Sequence, residues 1–335
     1  MGEKMSFADF LKAYSKACRI EFAPALGACM FILFFLGAES FQDIFQIHVL
    51  EAFIVVILQF FSAFLINALA DIDTDSKYKT FISDSVHLLG GKTIKGLVIL
   101  QISIALLLTL HLSFLFNNFW LFPWVVSGTF FSLGYSVKPF HFKIRGVFHA
   151  SLMFAVFSMI LLLYYVIGGI PTLPIFFVIL SFIILHYGIT LVDQTQDHIE
   201  DKLSDLLTPS VRYGVTRTLR VAFVLSMVGL SFGFFGFYFL FLELSTLVNF
   251  GYILSFEFIF FVVTIILVLA YYMPLKGTWD LVKISLYDET IEQKMLMIKN
   301  RLNHPIWQFS GVLGVIIISV IFFLLKIFGI DGFVF

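Results

Sequence analysis

Residues 48–75 read HVLEAFIVVILQFFSAFLINALADIDTD, a long apolar stretch that runs directly into acidic residues. A helix that crosses the hydrocarbon core of a bilayer needs ~20 mostly apolar residues, and residues 48–70 meet that length. An open strand would leave backbone groups unpaired in lipid, whereas a helix pairs its own backbone groups. The stretch therefore predicts a transmembrane helix that ends in carboxylates at one face of the membrane.

The same kind of apolar stretch recurs along the whole chain. Of its 335 residues, 60% are hydrophobic and 13% are charged, whereas soluble chains carry about 25% charged residues. The nine predicted spans are residues 22–38, 48–70, 96–116, 119–135, 147–169, 174–192, 219–241, 249–273 and 307–328. We predict an all-α, polytopic membrane protein with about nine transmembrane helices in one bundle around a central cavity, forming a single domain over residues 1–335.

The positive charges are strongly segregated by this arrangement of spans. Nine spans place the N-terminal segment and the connections 71–95, 136–146, 193–218 and 274–306 on one side. Of the 21 Lys and Arg residues, 19 lie in these segments, Arg220 lies on the same side at the start of the seventh span, and only Lys326 falls on the other side. Because cytoplasmic loops carry an excess of Lys and Arg, we predict that the N-terminus and these long polar loops are cytoplasmic. Binding and catalytic residues are expected there as well.

Two acidic segments follow the second and sixth spans, and both have the spacing i, i+4, i+8, which puts their members on one face of a helix. Their residues are Asn67, Asp71 and Asp75, and Asp193, Asp197 and Asp201. Stacked carboxylates near hydrocarbon are costly, so a cation must compensate them. Oxygen ligands without His or Cys suit Mg²⁺, which commonly bridges carboxylates to phosphates. We therefore expect two acidic faces opposed across a cavity, with a magnesium–diphosphate between them.

A basic segment lies between the acidic ones. Residues 135–146 read YSVKPFHFKIRG. An ordinary cytoplasmic loop would also be basic. Beside two metal-binding faces, however, the cations of Lys138, Lys143 and Arg145 would bind the remaining phosphate oxygens.

These motifs resemble the UbiA superfamily of intramembrane prenyltransferases, in which NxxxDxxxD after the second helix pairs with DxxxD or DxxxDxxxD after the sixth. One branch of the family carries YSxPPxRxKxRG after the fourth helix. The chain matches this pattern at Tyr135, Ser136, Pro139, Lys143, Arg145 and Gly146. Arg19 is similar to an N-terminal arginine of the family, whereas Ala68, Lys138 and His141 depart from the family pattern.

The resemblance implies that an isoprenyl diphosphate binds through Mg²⁺, loses its diphosphate, and leaves an allylic cation that an acceptor captures. It implies that the six residues of the acidic segments hold the magnesium ions. Arg19, Lys138, Lys143 and Arg145 would contact the diphosphate and stabilise its growing charge. The Tyr135 ring would stabilise the cation.

Three functions remain open at this point. The first is transfer of the isoprenyl group to a lipophilic acceptor, such as an aromatic or quinone precursor, a tetrapyrrole or a glycerol phosphate lipid. The second is a membrane-embedded terpene cyclase, which needs the same metal site. The third is a secondary transporter, but transporter sites lie near the midplane on broken helices, whereas these acids lie at helix ends. We expect membrane lipid and no nucleic acid as partners, and the sequence does not predict an oligomeric state.

Overall fold

The computed structural model describes residues 5–247, 256–302 and 306–330 of the chain. Within these ranges the regular structure is entirely helical. Three short 3₁₀ helices lie at Ile20–Phe22, Phe142–Ile144 and Gly146–Ala150. The α-helices are α1 (Phe7–Ala17), α2 (Ala23–Gly37), α3 (Phe41–Ile44), α4 (Ile47–Ala70), α5 (Ile72–Tyr78), α6 (Thr80–Leu89), α7 (Gly91–Leu115), α8 (Leu121–Gly134), α9 (Ser151–Gly168), α10 (Leu173–Thr195), α11 (His198–Leu203), α12 (Pro209–Tyr213), α13 (Val215–Leu247), α14 (Phe256–Ser285), α15 (Ile291–Leu302) and α16 (Ile306–Ile330).

Each of the nine predicted spans overlaps one helix, namely α2, α4, α7, α8, α9, α10, α13, α14 and α16. Among the described residues, six helical segments are long and apolar enough to cross a membrane. They are Ile47–Ala70, Gly91–Leu115, Gly146–Gly168, Leu173–Thr195, Val215–Ser245 and Glu257–Ser285. Leu121–Gly134 and Leu313–Ile327 are shorter apolar helices. The predicted all-α membrane fold is therefore confirmed; residues 249–255 of the eighth predicted span lie outside the described residues.

The longest helices extend beyond the predicted spans. α14 continues through Pro274 to Ser285, although the sequence placed its end at residue 273. An interior proline removes its own backbone donor and its ring crowds the carbonyl four residues earlier, yet α14 continues past it, and the hydroxyl of Thr278 donates to the Pro274 carbonyl at 2.9 Å. Apolar length alone therefore does not mark where this helix ends.

α15 is amphipathic. Its buried side chains are Met295, Ile298 and Leu302, which recur at helical spacing. They pack in a hydrophobic cluster with Leu281 and Val282 of α14. Burial of this apolar face therefore fixes α15 against α14.

The chain divides into two compact units, each described here by itself. Unit 1 comprises Met1–Pro24, Leu50–Met159 and Glu200–Thr208, and unit 2 comprises Ala25–Val49, Ile160–Ile199 and Pro209–Phe335. The prediction of a single domain over residues 1–335 stays a prediction.

In unit 1, α1 and α6 pack on the end of α4. Ala17 of α1, Leu65 of α4 and Ile82 of α6 are almost completely buried in one hydrophobic cluster. Ser6 caps α1, because its hydroxyl accepts the Asp9 N–H at 3.1 Å. This packing holds the start of the chain beside the first acidic segment.

In unit 2, α10 and α13 pack closely because glycines line their contact. A Cβ added at Gly236 would lie 2.9 Å from the backbone nitrogen of Val178. Similarly, Gly233 approaches Ser181, and Gly188 approaches the Ala222 carbonyl. Small residues let helix backbones approach in membranes, where packing rather than hydrophobic burial drives association. This contact fixes the position of α10, which ends in the second acidic segment.

Candidate active site

The first acidic segment lies where α4 gives way to α5. Asp71 itself is outside both helices, with φ −97° and ψ 7°. The helical hydrogen-bond pattern nevertheless continues across the break. The Asp71 N–H donates to the Asn67 carbonyl at 2.9 Å, and the Asp75 N–H donates to the Asp71 carbonyl at 2.8 Å. The helical spacing of the three predicted residues is therefore preserved.

Lys143 compensates the charge at Asp71. Its ammonium donates to Asp71 Oδ1, and the Lys143 residue is only 7% exposed. The loop after α8 turns back on itself, because the Lys143 N–H donates to the Tyr135 carbonyl at 3.1 Å. This turn brings a cation that lies 72 residues away in sequence onto the first acidic segment.

Asp75 is the most deeply buried carboxylate of the segment, at 5% exposure. Burial raises the pKa of Asp75, and the neighbouring Asp71 raises it further, against the opposing charges of Lys79, Arg19 and Lys143. Among the described residues, its buried Oδ2 atom has no hydrogen-bond partner. A buried carboxylate oxygen without a donor is costly, so this atom suits a metal ion or a metal-bound water.

Two further polar groups surround this carboxylate pair. The Ser136 hydroxyl donates to Asn67 Oδ1 at 2.7 Å, which fixes the orientation of the Asn67 amide. Arg19 has a left-handed backbone with φ 49°, and its guanidinium lies 5.8 Å from the centre of the Phe64 ring. The predicted residues Asn67, Asp71, Asp75, Lys143 and Arg19 therefore belong to one electrostatic cluster within unit 1.

Tyr135 has a buried partner that the sequence did not indicate. Its hydroxyl lies 2.8 Å from Nε2 of His149, and His149 is completely buried. The contact depends on the 3₁₀ turn at Gly146–Ala150, which no motif spacing predicts. The only sequence signal for this partner was a histidine in the first turn after the basic segment. The pair holds the Tyr135 ring in one orientation.

The other cations of the basic segment are arranged differently from Lys143. Lys138 is exposed, and the exposed guanidinium of Arg145 donates to the Pro139 carbonyl. Among the described residues, neither forms an ion pair with a carboxylate. His141 has a left-handed backbone with φ 43°, and burial, followed by the Lys143 charge, lowers the pKa of its imidazole.

The second acidic segment departs from the predicted single helix face. α10 ends at Thr195, and the Gln196 and Asp197 N–H groups donate to carbonyls three residues earlier, at 3.3 and 3.2 Å. The i, i+4 rule assumes an unbroken α-helix, and this turn tightens before α11 begins. Beyond the turn, Asp201 Oδ2 accepts from the Thr208 hydroxyl at 2.8 Å. Asp193, Asp197 and Asp201 are all half-buried.

The donor set of the first segment fits a magnesium ion. Mg²⁺ usually takes one or two carboxylates and completes its shell with water and phosphate oxygens, and Asp71 and Asp75 supply such carboxylates. Within the described residues, no group of three or more His, Cys, Asp or Glu side chains could hold a metal alone. Apposition of the two acidic segments stays a prediction.

Fold and site together define a class: a multi-pass, all-helical membrane protein with carboxylates and a paired lysine at the end of an apolar helix. The sequence matches the UbiA prenyltransferase family over residues 25–273. The chain therefore belongs to this family and is an integral membrane protein. No curated protein matches the sequence.

Solved structures with the same fold include digeranylgeranylglyceryl phosphate synthase, at TM-score 0.62 and 16% identity, covering 93% of this chain and 99% of that one. A UbiA homologue from Archaeoglobus fulgidus bound to GPP and Mg²⁺ has TM-score 0.54 and 16% identity, covering 96% and 100% of the two chains. The same homologue bound to DMAPP and Mg²⁺ has TM-score 0.52 and 15% identity, covering 90% and 98%. At these identities the likeness establishes the fold.

Proposed function

We propose that this protein transfers an isoprenyl group from an isoprenyl diphosphate to a lipophilic acceptor in the membrane, with Mg²⁺ as cofactor. One observation carries the proposal: a buried lysine neutralises Asp71 beside Asp75, whose buried Oδ2 lacks a donor among the described residues. Oxygen ligands for a metal and a cation for a phosphate thus lie together at the end of a membrane helix. Family membership and the UbiA homologue bound to GPP and Mg²⁺ support it.

The residues then take the following roles. The metal ligands are Asn67, Asp71, Asp75, Asp193, Asp197 and Asp201, and the diphosphate contacts are Arg19, Lys138, Lys143 and Arg145. Bound Mg²⁺ would orient the diphosphate and act as a Lewis acid on its oxygens. Lys143 holds a positive charge where the leaving diphosphate gains negative charge. The Tyr135 ring, oriented by His149, offers its face to the allylic cation.

We further propose that the N-terminus and the active-site loops are cytoplasmic. Contacts within each unit agree with nine alternating spans. Glu51 at the start of α4 lies 2.9 Å from His111 near the end of α7, as helices of opposite direction require. In unit 2, Lys326 of α16 donates to the Ala38 carbonyl after α2 at 3.2 Å. Lys326 is the only cation predicted to lie outside the cytoplasm, and this contact places it beside the loop after α2, which is also predicted to lie outside.

The test is diphosphate release by the purified protein in detergent. Geranyl, farnesyl and geranylgeranyl diphosphate are supplied in turn, with and without Mg²⁺ and a membrane lipid extract. We expect Mg²⁺-dependent release that requires the extract, and the mass of the prenylated product identifies the acceptor. A cyclic terpene formed without any acceptor would contradict transfer and support the cyclase. Absence of release under every condition would contradict both.

Variants connect this assay to the site. Asp71→Ala and Asp197→Ala are expected to abolish release, because each removes a proposed metal ligand. Asp73→Ala is the matched control, since Asp73 is exposed and lies off the acidic face. Full activity in either of the first two variants would contradict the metal assignment.

A further inference from the structure

Unit 2 contains a cavity of about 350 Å³ that none of the six acidic-segment residues lines. It is formed by His198, the start of α13, the end of α14 and the first turn of α15, and its lining includes Gly214, Thr216, Arg217, Ser285 and Lys294. Thr216 donates to the Ser285 carbonyl at 3.2 Å, which ties the start of α13 to the end of α14. Two walls of the cavity are therefore fixed to each other within unit 2.

The charged lining of the cavity is entirely positive. Arg217 and Lys294 both line it, and no carboxylate does. Neither cation forms an ion pair or hydrogen bond with the described residues. The acidic residues nearest in sequence to the lining are half-buried Asp197 and Glu200, beside His198, and exposed Asp288, Glu289 and Glu292, and none of them lines the cavity. Arg217 is exposed and Lys294 is half-buried, and two cations that line one cavity attract an anion.

The backbone at the cavity also favours an anion. The first hydrogen bond of α13 runs from the Thr218 N–H to the Gly214 carbonyl at 3.1 Å. The N–H groups of Val215, Thr216 and Arg217 precede it, and all three residues line the cavity. Early N–H groups and the helix dipole add to the attraction that the side chains exert on an anion. Gly214 permits the turn, because its φ of 88° is unfavourable for other residues.

The cavity also has an apolar wall, which includes Val215 and Ile291. A phosphate group carried by an amphiphile would satisfy both halves of this lining, since basic pockets between membrane helices bind anionic head groups. Arg binds phosphate through paired hydrogen bonds, and Lys supplies a point charge.

We propose that this cavity is a second anion site, which binds the phosphate group of an anionic amphiphile through Arg217, Lys294 and the start of α13. Free diphosphate shares this chemistry and is the other possible source of the phosphate. The inference does not depend on the proposed transfer reaction, because no cavity residue is a proposed metal ligand, although His198 directly follows Asp197 in sequence.

The test is native mass spectrometry of the full-length protein in EDTA, so that metal-dependent substrate binding does not contribute. The probes are phosphatidylglycerol, zwitterionic phosphatidylcholine and sodium pyrophosphate. The cavity variant is Arg217→Gln with Lys294→Gln. The control, Arg220→Gln with Lys283→Gln, removes the same charge from exposed positions of α13 and α14 that do not line the cavity.

We expect the cavity variant to bind phosphatidylglycerol or pyrophosphate about tenfold more weakly than wild type, as loss of charged hydrogen bonds implies, and the control to bind like wild type. If the cavity variant loses phosphatidylglycerol binding, the bound phosphate group belongs to a lipid. If it loses only pyrophosphate binding, the cavity binds a free phosphate. Lys294→Arg keeps the charge and is expected to retain binding, which separates charge from folding. Equal binding by wild type and the cavity variant, or equal loss in the control, would overturn the proposal.

Discussion

Lys143 and Asp71 show how a single ion pair organises the first acidic segment. A buried pair gains little net stability, because desolvation of both charges offsets their attraction, but removal of one partner leaves the other uncompensated. Lys143 is only 7% exposed, and its ion pair with Asp71 holds the ammonium at the first acidic segment. The pair thus preorganises the cation that the proposed reaction uses.

At Lys143, substitution by Met is expected to destabilise the protein by about 3 kcal/mol, because Asp71 loses its partner. The same substitution should also abolish diphosphate release. Lys138→Met removes an exposed cation and is expected to change stability little. Thermal unfolding in detergent and the release assay measure both effects. Equal effects of the two substitutions would contradict a special role for Lys143.

The ionised Asp75 carboxylate is expected to lower the free energy of unfolding of the metal-free protein. Because folding raises its pKa, the native state holds the proton more tightly than the unfolded state. Metal-free stability should therefore fall as pH rises from about 4, the usual Asp value, through the raised native pKa. Asp75→Asn should remove this dependence, add about 1 kcal/mol of stability near neutral pH and abolish release.

Thermal unfolding in EDTA across a pH series checks this expectation for Asp75. The wild type is compared directly with Asp75→Asn, so that other titrating groups cancel. A variant less stable than the wild type at neutral pH would show that the Asp75 carboxylate is a structural group.

The helices illustrate what the sequence could and could not predict. Apolar length located all nine predicted spans, since each overlaps a helix. It did not locate the end of α14, because Pro274 is accommodated within the helix. The helical spacing predicted for Asn67, Asp71 and Asp75 is preserved in the structure. In the second acidic segment, by contrast, the tight turn at Asp197 divides the chain into two helices. The contact between Tyr135 and His149 depends on tertiary packing and has no sequence period.

The contact between α10 and α13 yields a prediction about packing. A side chain at Gly236 would meet Val178 Cγ2 at 2.7 Å, the Val178 nitrogen at 2.9 Å and the Pro174 carbonyl at 3.0 Å. Because backbone atoms cannot rotate away, Gly236→Val is expected to cost about 1–3 kcal/mol. Gly96→Ala on α7 is the control, since an added Cβ there has no neighbour within 4 Å. Thermal unfolding in detergent should show a lower midpoint for the first variant only.

At the scale of the whole molecule, charge segregation predicts the orientation in the membrane. Of the 21 Lys and Arg residues, 19 lie in segments predicted to be cytoplasmic, and Arg220 lies at the adjoining end of the seventh predicted span. In a background with Cys18→Ala and Cys29→Ala, Glu39→Cys is expected to react with an impermeant maleimide on intact cells. Asp288→Cys should react only after permeabilisation. Labelling in the reverse order would contradict the predicted topology.

The central claim is that both acidic segments hold one magnesium–diphosphate. The most direct measurement is calorimetric binding of geranyl thiolodiphosphate, an unreactive donor analogue, with and without Mg²⁺. We predict that wild type and Asp73→Asn bind it only with Mg²⁺. Asp71→Asn and Asp197→Asn should each weaken binding by about 100-fold or more, since even outer-shell partners of metals contribute 10–100-fold. Mg²⁺-independent binding, or wild-type affinity in either of these two variants, would contradict the account.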